Sequence, residues 1–161
     1  KGYIHSWDEL EWIDGAREAV ARLTEDGWLL FVATNQSGVA RGYYTESDVQ
    51  LLHEQMNSSF RELGGNITKF FYCPHLPGAP VKKYDVVCDC RKPAPGMIIR
   101  AINEYNLPKD QVFLFGDSDR DIKAAEAAGI KGFLFDGTNL KDFVYQKLAG
   151  LGYRDNGKED I

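Results

Sequence analysis

Cys73-Pro74-His75 is followed, after a gap of twelve residues, by Cys88-Asp89-Cys90. Three thiolates and one imidazole complete a tetrahedral zinc set, and two close-spaced ligand pairs joined by a loop are its usual arrangement. A catalytic zinc more often mixes His with carboxylates and keeps one position open, so this donor set describes a structural ion. The same residues also suit buried free thiols, or one disulfide with a spare Cys. The gap carries Pro77, Gly78 and Pro80 and is expected to build no regular element. A metal would therefore give the 73–92 loop its shape. His5 and His53 have no such company and read as surface or packing residues.

Three further groups carry polar chemistry. Asp117 and Asp121 lie four residues apart in Gly116-Asp117-Ser118-Asp119-Arg120-Asp121. Carboxylates one helical turn apart suit Mg²⁺, a hard cation that takes oxygen ligands and keeps several waters. The alternative has Asp119 as a helix N-cap and the other acids as first-turn charges favoured by the helix dipole. Thr34-Asn35-Gln36-Ser37-Gly38 offers a hydroxyl, two amides and turn N–H groups to a phosphate, and equally suits a plain turn. In Arg91-Lys92-Pro93, Pro93 biases Lys92 toward extended backbone. An ammonium there can neutralise a phosphoryl oxygen as charge builds, or the pair can be two solvated cations.

The elements that must position these groups alternate. Apolar residues at helical spacing predict a helix over 14–26, stopped by Gly27. The run Trp28 to Ala33 predicts a strand buried on both faces, as in parallel sheets. Thr45 and Asp48 open a helix to about Leu63. Strands are expected at 67–72, 112–115 and 132–135, and helices from Pro95 to Tyr105, from Asp119 to Ala128 and from Asn139 to Leu148. This order implies one α/β domain over residues 1–161, a Rossmann-like open parallel sheet with helices on both faces. Ligands bind such sheets beyond the carboxyl ends of the strands, where all the polar groups above fall.

Composition narrows the function classes. The chain has 161 residues, 43% hydrophobic and 27% charged, with a formal net charge of -5. That length suits one domain with a real core. No dense Lys/Arg cluster marks a nucleic-acid face, and no apolar run approaches the ~18 residues needed to cross a bilayer. Three cysteines in one short stretch are not a secreted disulfide framework, so the cytoplasm is the expected compartment.

Together the motifs resemble the haloacid dehalogenase (HAD) superfamily of phosphoryl-transfer enzymes: Thr34-Asn35 its second motif, Lys92 its third, and Gly116 to Asp121 its fourth. Gly2-Tyr3, Thr34 to Gly42, Cys73-Pro74-His75, Cys88 to Pro93 and Pro95-Gly96-Met97 are similar to the D-glycero-D-manno-heptose 1,7-bisphosphate 7-phosphatases. Histidinol-phosphate phosphatases share the zinc cluster but typically have a shorter cysteine loop. The resemblance implies an aspartyl-phosphate mechanism with catalytic Mg²⁺ at Asp117 and Asp121. It implies that Thr34, Asn35 and Lys92 hold the transferring phosphoryl group. Lys1, Gly2, Tyr3, Gln36, Ser37 and Arg91 would contact a phosphorylated sugar of carbohydrate metabolism, such as a lipopolysaccharide core precursor. Zn²⁺ at Cys73, His75, Cys88 and Cys90 would staple the loop into a small cap. Ser118 departs from relatives that carry Lys after the metal-binding Asp. Many relatives with small caps work as monomers.

One superfamily motif has no counterpart. Asp-x-Asp, the nucleophile and general acid, should end a strand shortly before Lys1, and Asp8 and Asp14 do not match it. In this fold that strand lies at the sheet centre, between those at 28–33 and 112–115. Buried unpaired N–H and C=O groups cost ~1–3 kcal/mol each, against the ~5–15 kcal/mol stability of a domain. About 20 upstream residues are therefore expected, enough for a strand and its loop. If the motif is truly absent, the chain is a sugar-phosphate-binding module without turnover.

Overall fold

A computed structural model describes residues 11–154. Along it run α1 (Ala16–Glu25), β1 (Phe31–Asn35), a one-turn α2 (Ser37–Ala40), α3 (Glu46–Glu62), β2 (Lys69–Cys73), α4 (Gly96–Tyr105), β3 (Phe113–Gly116), α5 (Asp119–Ala128), β4 (Lys131–Leu134) and α6 (Leu140–Gly150). Two short 3₁₀ turns lie at Lys82–Tyr84 and Lys109–Gln111. The first gives the cysteine loop the one regular turn its Pro and Gly content was expected to exclude.

β1 pairs in parallel with β2, and β3 with β4. The register sets Thr34 opposite Tyr72 and Asn35 opposite Cys73, so the hydroxyl-amide motif and the first metal-type ligand share one sheet end. Helix α4 packs on β1, β2 and α5, and α5 on β3 and β4; α1 packs on α3 and α6. Alanines 124, 125 and 128 are buried among Ile98, Ile102 and Ile130, which lets α5 lie close to the strands. A second core cluster joins Phe71, Cys73, Cys90, Met97 and Ala101.

β1 begins at Phe31, three residues later than the apolar run suggested, and every residue of it is only partly buried. Trp28 instead packs edge-on against Phe113 and Tyr153. The partial burial has a cause: β1 and β3 do not pair, and a cavity of about 600 Å³ lies between them. Its walls are apolar along Phe31, Ala33, Leu114 and Phe115, and its mouth carries Lys92, Asp117 and Asp121.

Capping follows the sequence in part. Thr45 and Asp48 exchange hydrogen bonds at the start of α3, and Asn139 accepts from the Asp142 N–H at the start of α6. At α5 the N-cap is Ser118, not Asp119. Asp121 reaches back to the Ser118 N–H, the more effective arrangement for a third-position carboxylate.

His53 is a packing residue. It is buried on α3, its ring stacked 4.5 Å from that of Phe70. Burial lowers its pKa to about 4. The unfolded chain binds this proton near pH 6.5 and the folded one does not, so stability present above pH 6.5 is lost as pH falls toward 4. His53→Gln should remove on the order of 2 kcal/mol of that acid sensitivity, read as the difference in urea unfolding between pH 7 and 4.5. Equal pH slopes for the two proteins would show that His53 is not the group responsible. His5 lies outside the described residues.

Candidate active site and metal centre

Lys92 joins the two halves of the fold. Its Nζ donates to the Ala33 carbonyl on β1 at 2.8 Å and to Asp121 Oδ1 on α5 at 2.6 Å. Its backbone is fixed by Asn35, whose Oδ1 accepts the Lys92 N–H at 2.9 Å while Nδ2 donates to the Lys92 carbonyl at 3.1 Å. Both ends of that amide are thereby used. The peptide between Lys92 and Pro93 is cis.

Asp121 is buried and its oxygens are occupied. Oδ1 takes Lys92, while Oδ2 accepts the Asp117 N–H, the Ser118 N–H and the Ser118 hydroxyl at 3.1–3.2 Å. Burial pushes its carboxyl up, but the hydrogen bond and charge of Lys92, with Ser118, outweigh this and hold it below the usual range. Gly116 is required here, because a Cβ would collide with the Asp121 side chain. The Asp117 carboxylate is exposed, lines the cavity mouth and has no hydrogen-bond partner among the described residues. Of the two acids, Asp117 is the one with lone pairs open to a cation.

Cys73, His75, Cys88 and Cys90 converge, with one donor atom from each within 4.8 Å of the others. Sγ of Cys73 and Cys88 are 3.5 Å apart, those of Cys88 and Cys90 3.4 Å, and His75 Nδ1 is 3.7 Å and 3.5 Å from Cys73 and Cys90. Tetrahedral Zn–S and Zn–N bonds imply edges of roughly 3.5–3.8 Å. Cys73 and Cys90 are closer, at 2.7 Å, and all three cysteines are free thiols. Burial pushes the Cys73 and Cys90 thiols up. For Cys88 burial also raises, but the Cys90 thiol and the N–H groups of Cys90 and Arg91 outweigh it and lower the pKa. One ready thiolate beside two reluctant ones is a donor set that a soft dication fits.

Comparison with known proteins gives the family. A HAD-hydrolase-like family model matches residues 89–140. The D-glycero-beta-D-manno-heptose-1,7-bisphosphate 7-phosphatase of Rhodopseudomonas palustris is 39% identical over 149 residues, covering 92% of this chain and 83% of that one. The protein of the same name from Escherichia coli is 36% identical over 159 residues, covering 93% and 83%. The chain belongs to this family of HAD-like phosphatases. A crystal structure of D,D-heptose 1,7-bisphosphate phosphatase from B. bronchiseptica, complexed with magnesium and phosphate, superposes with a TM-score of 0.78 at 32% identity over 92% of this chain and 89% of that one. A putative HAD-like phosphatase from Mesorhizobium loti gives 0.78 at 27% identity, over 86% and 66%.

As a phosphoric monoester hydrolase, the chain brings some of the expected residues together and not others. Lys92, Asp117 and Asp121 share the cavity mouth. Thr34 lies one residue beyond the cavity wall and accepts a hydrogen bond from Gln36 Nε2 at 3.3 Å. Ser37 is buried in the first turn of α2. Arg91 reaches the His75 carbonyl at 3.5 Å and so leans on the cysteine loop. Lys1, Gly2 and Tyr3 lie outside the described residues. The sequence reading missed Glu46, which accepts from the hydroxyls of Tyr72 and Tyr84 at 2.8 and 2.6 Å and ties the loop to the start of α3. Two tyrosines flanking the cysteine pairs were the available signal. Among the described residues, no helix of this phosphatase is long and apolar enough to cross a membrane.

Proposed function

We propose that the protein removes the C7 phosphate of D-glycero-D-manno-heptose 1,7-bisphosphate in the cytoplasm, as a Mg²⁺-dependent monomer working through an aspartyl-phosphate. The observation that carries this reading is Lys92, held at 2.6 Å from Asp121 and 2.8 Å from the Ala33 carbonyl at the polar mouth of an apolar cleft. The names of the relatives supply the substrate, and the B. bronchiseptica complex supports magnesium.

The cleft has the character of a strand site: apolar walls, two facing sheet edges that are unpaired among the described residues, and charged groups at one end. A parallel strand there would end at Lys92 and Asp117 and present an Asp nucleophile and a second Asp as general acid.

The remaining roles follow from position. The Thr34 hydroxyl and the Lys92 ammonium would hold phosphoryl oxygens, with Asn35 fixing Lys92 through its backbone. Asp117 would hold Mg²⁺ directly and Asp121 would support it through the Asp117 N–H and Lys92. A bound Mg²⁺ neutralises charge on the transferring group. The family resemblance, not position, suggests sugar contacts at Arg91, Gln36 and Ser37 and at Lys1, Gly2 and Tyr3, the last three of which lie outside the described residues; Ser37 is buried, so its side chain would need to be exposed for that contact. Cys73, His75, Cys88 and Cys90 would hold structural Zn²⁺ and shape the cap within a single domain.

Phosphate release from the heptose bisphosphate, compared with histidinol phosphate, tests the substrate. Activity on the first should exceed that on the second and vanish with chelator; full activity without divalent metal would contradict the reading. Asp117→Asn should raise the Mg²⁺ concentration for half-maximal rate by about tenfold or more while the melting temperature stays within a few degrees. Unchanged kinetics would remove Asp117 from the site.

A further inference from the structure

We propose that Tyr44 is a positioning residue for the phosphoryl-transfer step, acting through Gln36 to set the direction in which the Thr34 hydroxyl donates its proton. The inference rests on the proposed role of Thr34 as a phosphoryl contact. Tyr44 is buried at 6% exposure, in a cluster with Val39 and Val49. Its hydroxyl donates to Gln36 Oε1 at 2.7 Å, and Gln36 Nε2 donates to Thr34 Oγ1 at 3.3 Å. The ring has a prepared seat, because any Cβ on Gly38 would collide with it.

The consequence is one of proton bookkeeping. A Gln amide has two ends of like shape and opposite hydrogen-bond sense. The 2.7 Å separation is the usual length of an O–H···O bond, so the phenol selects the oxygen end. The amino end then faces Thr34 and makes its oxygen an acceptor. The Thr34 proton is left with a long 3.4 Å contact to the Asn35 carbonyl, a weak claim that a phosphoryl oxygen can displace. Without the phenol the amide can turn over. Its oxygen would then take the Thr34 proton, and the hydroxyl would present a lone pair where a donor is needed.

The test is a double-mutant cycle on the full-length phosphatase with Tyr44→Phe, Thr34→Val and the pair. Tyr44→Phe keeps the ring, so the melting temperature should move by only a few degrees. Its kcat should fall about tenfold with KM within about threefold, as expected for one donor strengthened in the transition state. In the Thr34→Val background, Tyr44→Phe should have no further effect. Gln36→Glu, an obligate acceptor, should lower kcat more than Gln36→Leu, which leaves the Thr34 proton unclaimed. Independent, multiplicative effects of Tyr44→Phe and Thr34→Val, or a Tyr44→Phe effect on KM alone, would overturn the relay while leaving the phosphatase reading intact. Calorimetry with inorganic phosphate and Mg²⁺ runs the same cycle without turnover. A wild type that neither releases nor binds phosphate would overturn both proposals.

Discussion

Lys92→Met should reduce turnover by about 10³-fold and destabilise the fold by about 2 kcal/mol. The activity loss follows from what the ammonium does at the cleft mouth. It is 14% exposed, held between a backbone carbonyl and a buried carboxylate, so in the proposed reaction it would meet a phosphoryl group with little reorganisation and little screening. Positive charge prearranged where negative charge gathers is commonly the largest single contribution to such a barrier. The stability loss follows from Asp121, which keeps its three donors on Oδ2 but loses the cation on Oδ1. Lys92 holds the Asp121 pKa below its ordinary 3.8, and a lowered carboxylate pKa contributes stability above the unfolded value that is lost as pH falls through the folded one. The wild type's advantage over Lys92→Met should therefore be full at pH 7 and shrink below about pH 4. Lys92→Met/Asp121→Asn should recover much of the stability and none of the turnover. Urea unfolding and steady-state kinetics on the same samples separate the two; recovery of turnover in the double variant would show that Lys92 acts only as a structural counter-ion.

The groups that meet at Lys92 differ in how far the sequence disclosed them. Asp117 and Asp121 were visible because a Gly-Asp at a strand end followed by a helix start is a local pattern. The resemblance already implied Asp117 as the metal ligand with Asp121 in support, but the hydrogen bonds that occupy Asp121 were not legible, since they depend on whether Ser118 or Asp119 caps α5. That is decided by Asp121 folding back over Gly116, a contact with no distinct spacing. Asn35 was expected in the loop just after the first strand, and it is instead the last residue of β1. Its task of pinning the Lys92 backbone joins residues 57 apart in sequence and leaves no local trace. The early edge assigned to β1 has a similar origin. Trp28, Leu29 and Leu30 are apolar enough to be strand, but Trp28 serves the aromatic contact with Phe113 and Tyr153. Periodicity reports that a residue is apolar, and packing decides which neighbour it covers. Tyr44 shows the limit most clearly: its apolar neighbours Val39 and Val49 explain the burial of its ring, while the contact of its hydroxyl with Gln36 spans eight residues and has no distinct spacing.

Stripping metal from the cysteine loop should be the most damaging change to the fold and should also abolish turnover. Cys73 is fully buried and Cys90 nearly so, both packed with Phe71, Met97 and Ala101, so two of the loop's four ligands belong to the second core cluster. Three thiols brought this close without a cation leave one thiolate among groups that resist ionisation. Structural zinc contributes ~10–16 kcal/mol of apparent binding free energy in small zinc-finger peptides, where nothing else holds the chain. Here the surrounding core retains part of the shape, and a cost of at least about 3 kcal/mol is expected. For a chain of this size that is roughly a 10 °C fall in melting temperature. Turnover should fail with it because Cys90 is two residues from Lys92, Arg91 leans on the His75 carbonyl, and the Asp89 carbonyl accepts the Gly96 N–H at 2.7 Å where α4 begins. Loosening the loop therefore releases Lys92 from Asn35 and Asp121, although neither residue is altered. Cys73→Ser should reproduce both losses, while Glu46→Gln, which weakens only the outer tie to Tyr72 and Tyr84, should cost far less. Elemental analysis finding no zinc in the purified protein would refute the metal centre. A high-affinity zinc chelator, with Mg²⁺ kept in excess, that removes the metal while leaving melting and turnover unchanged would refute its coupling to Lys92.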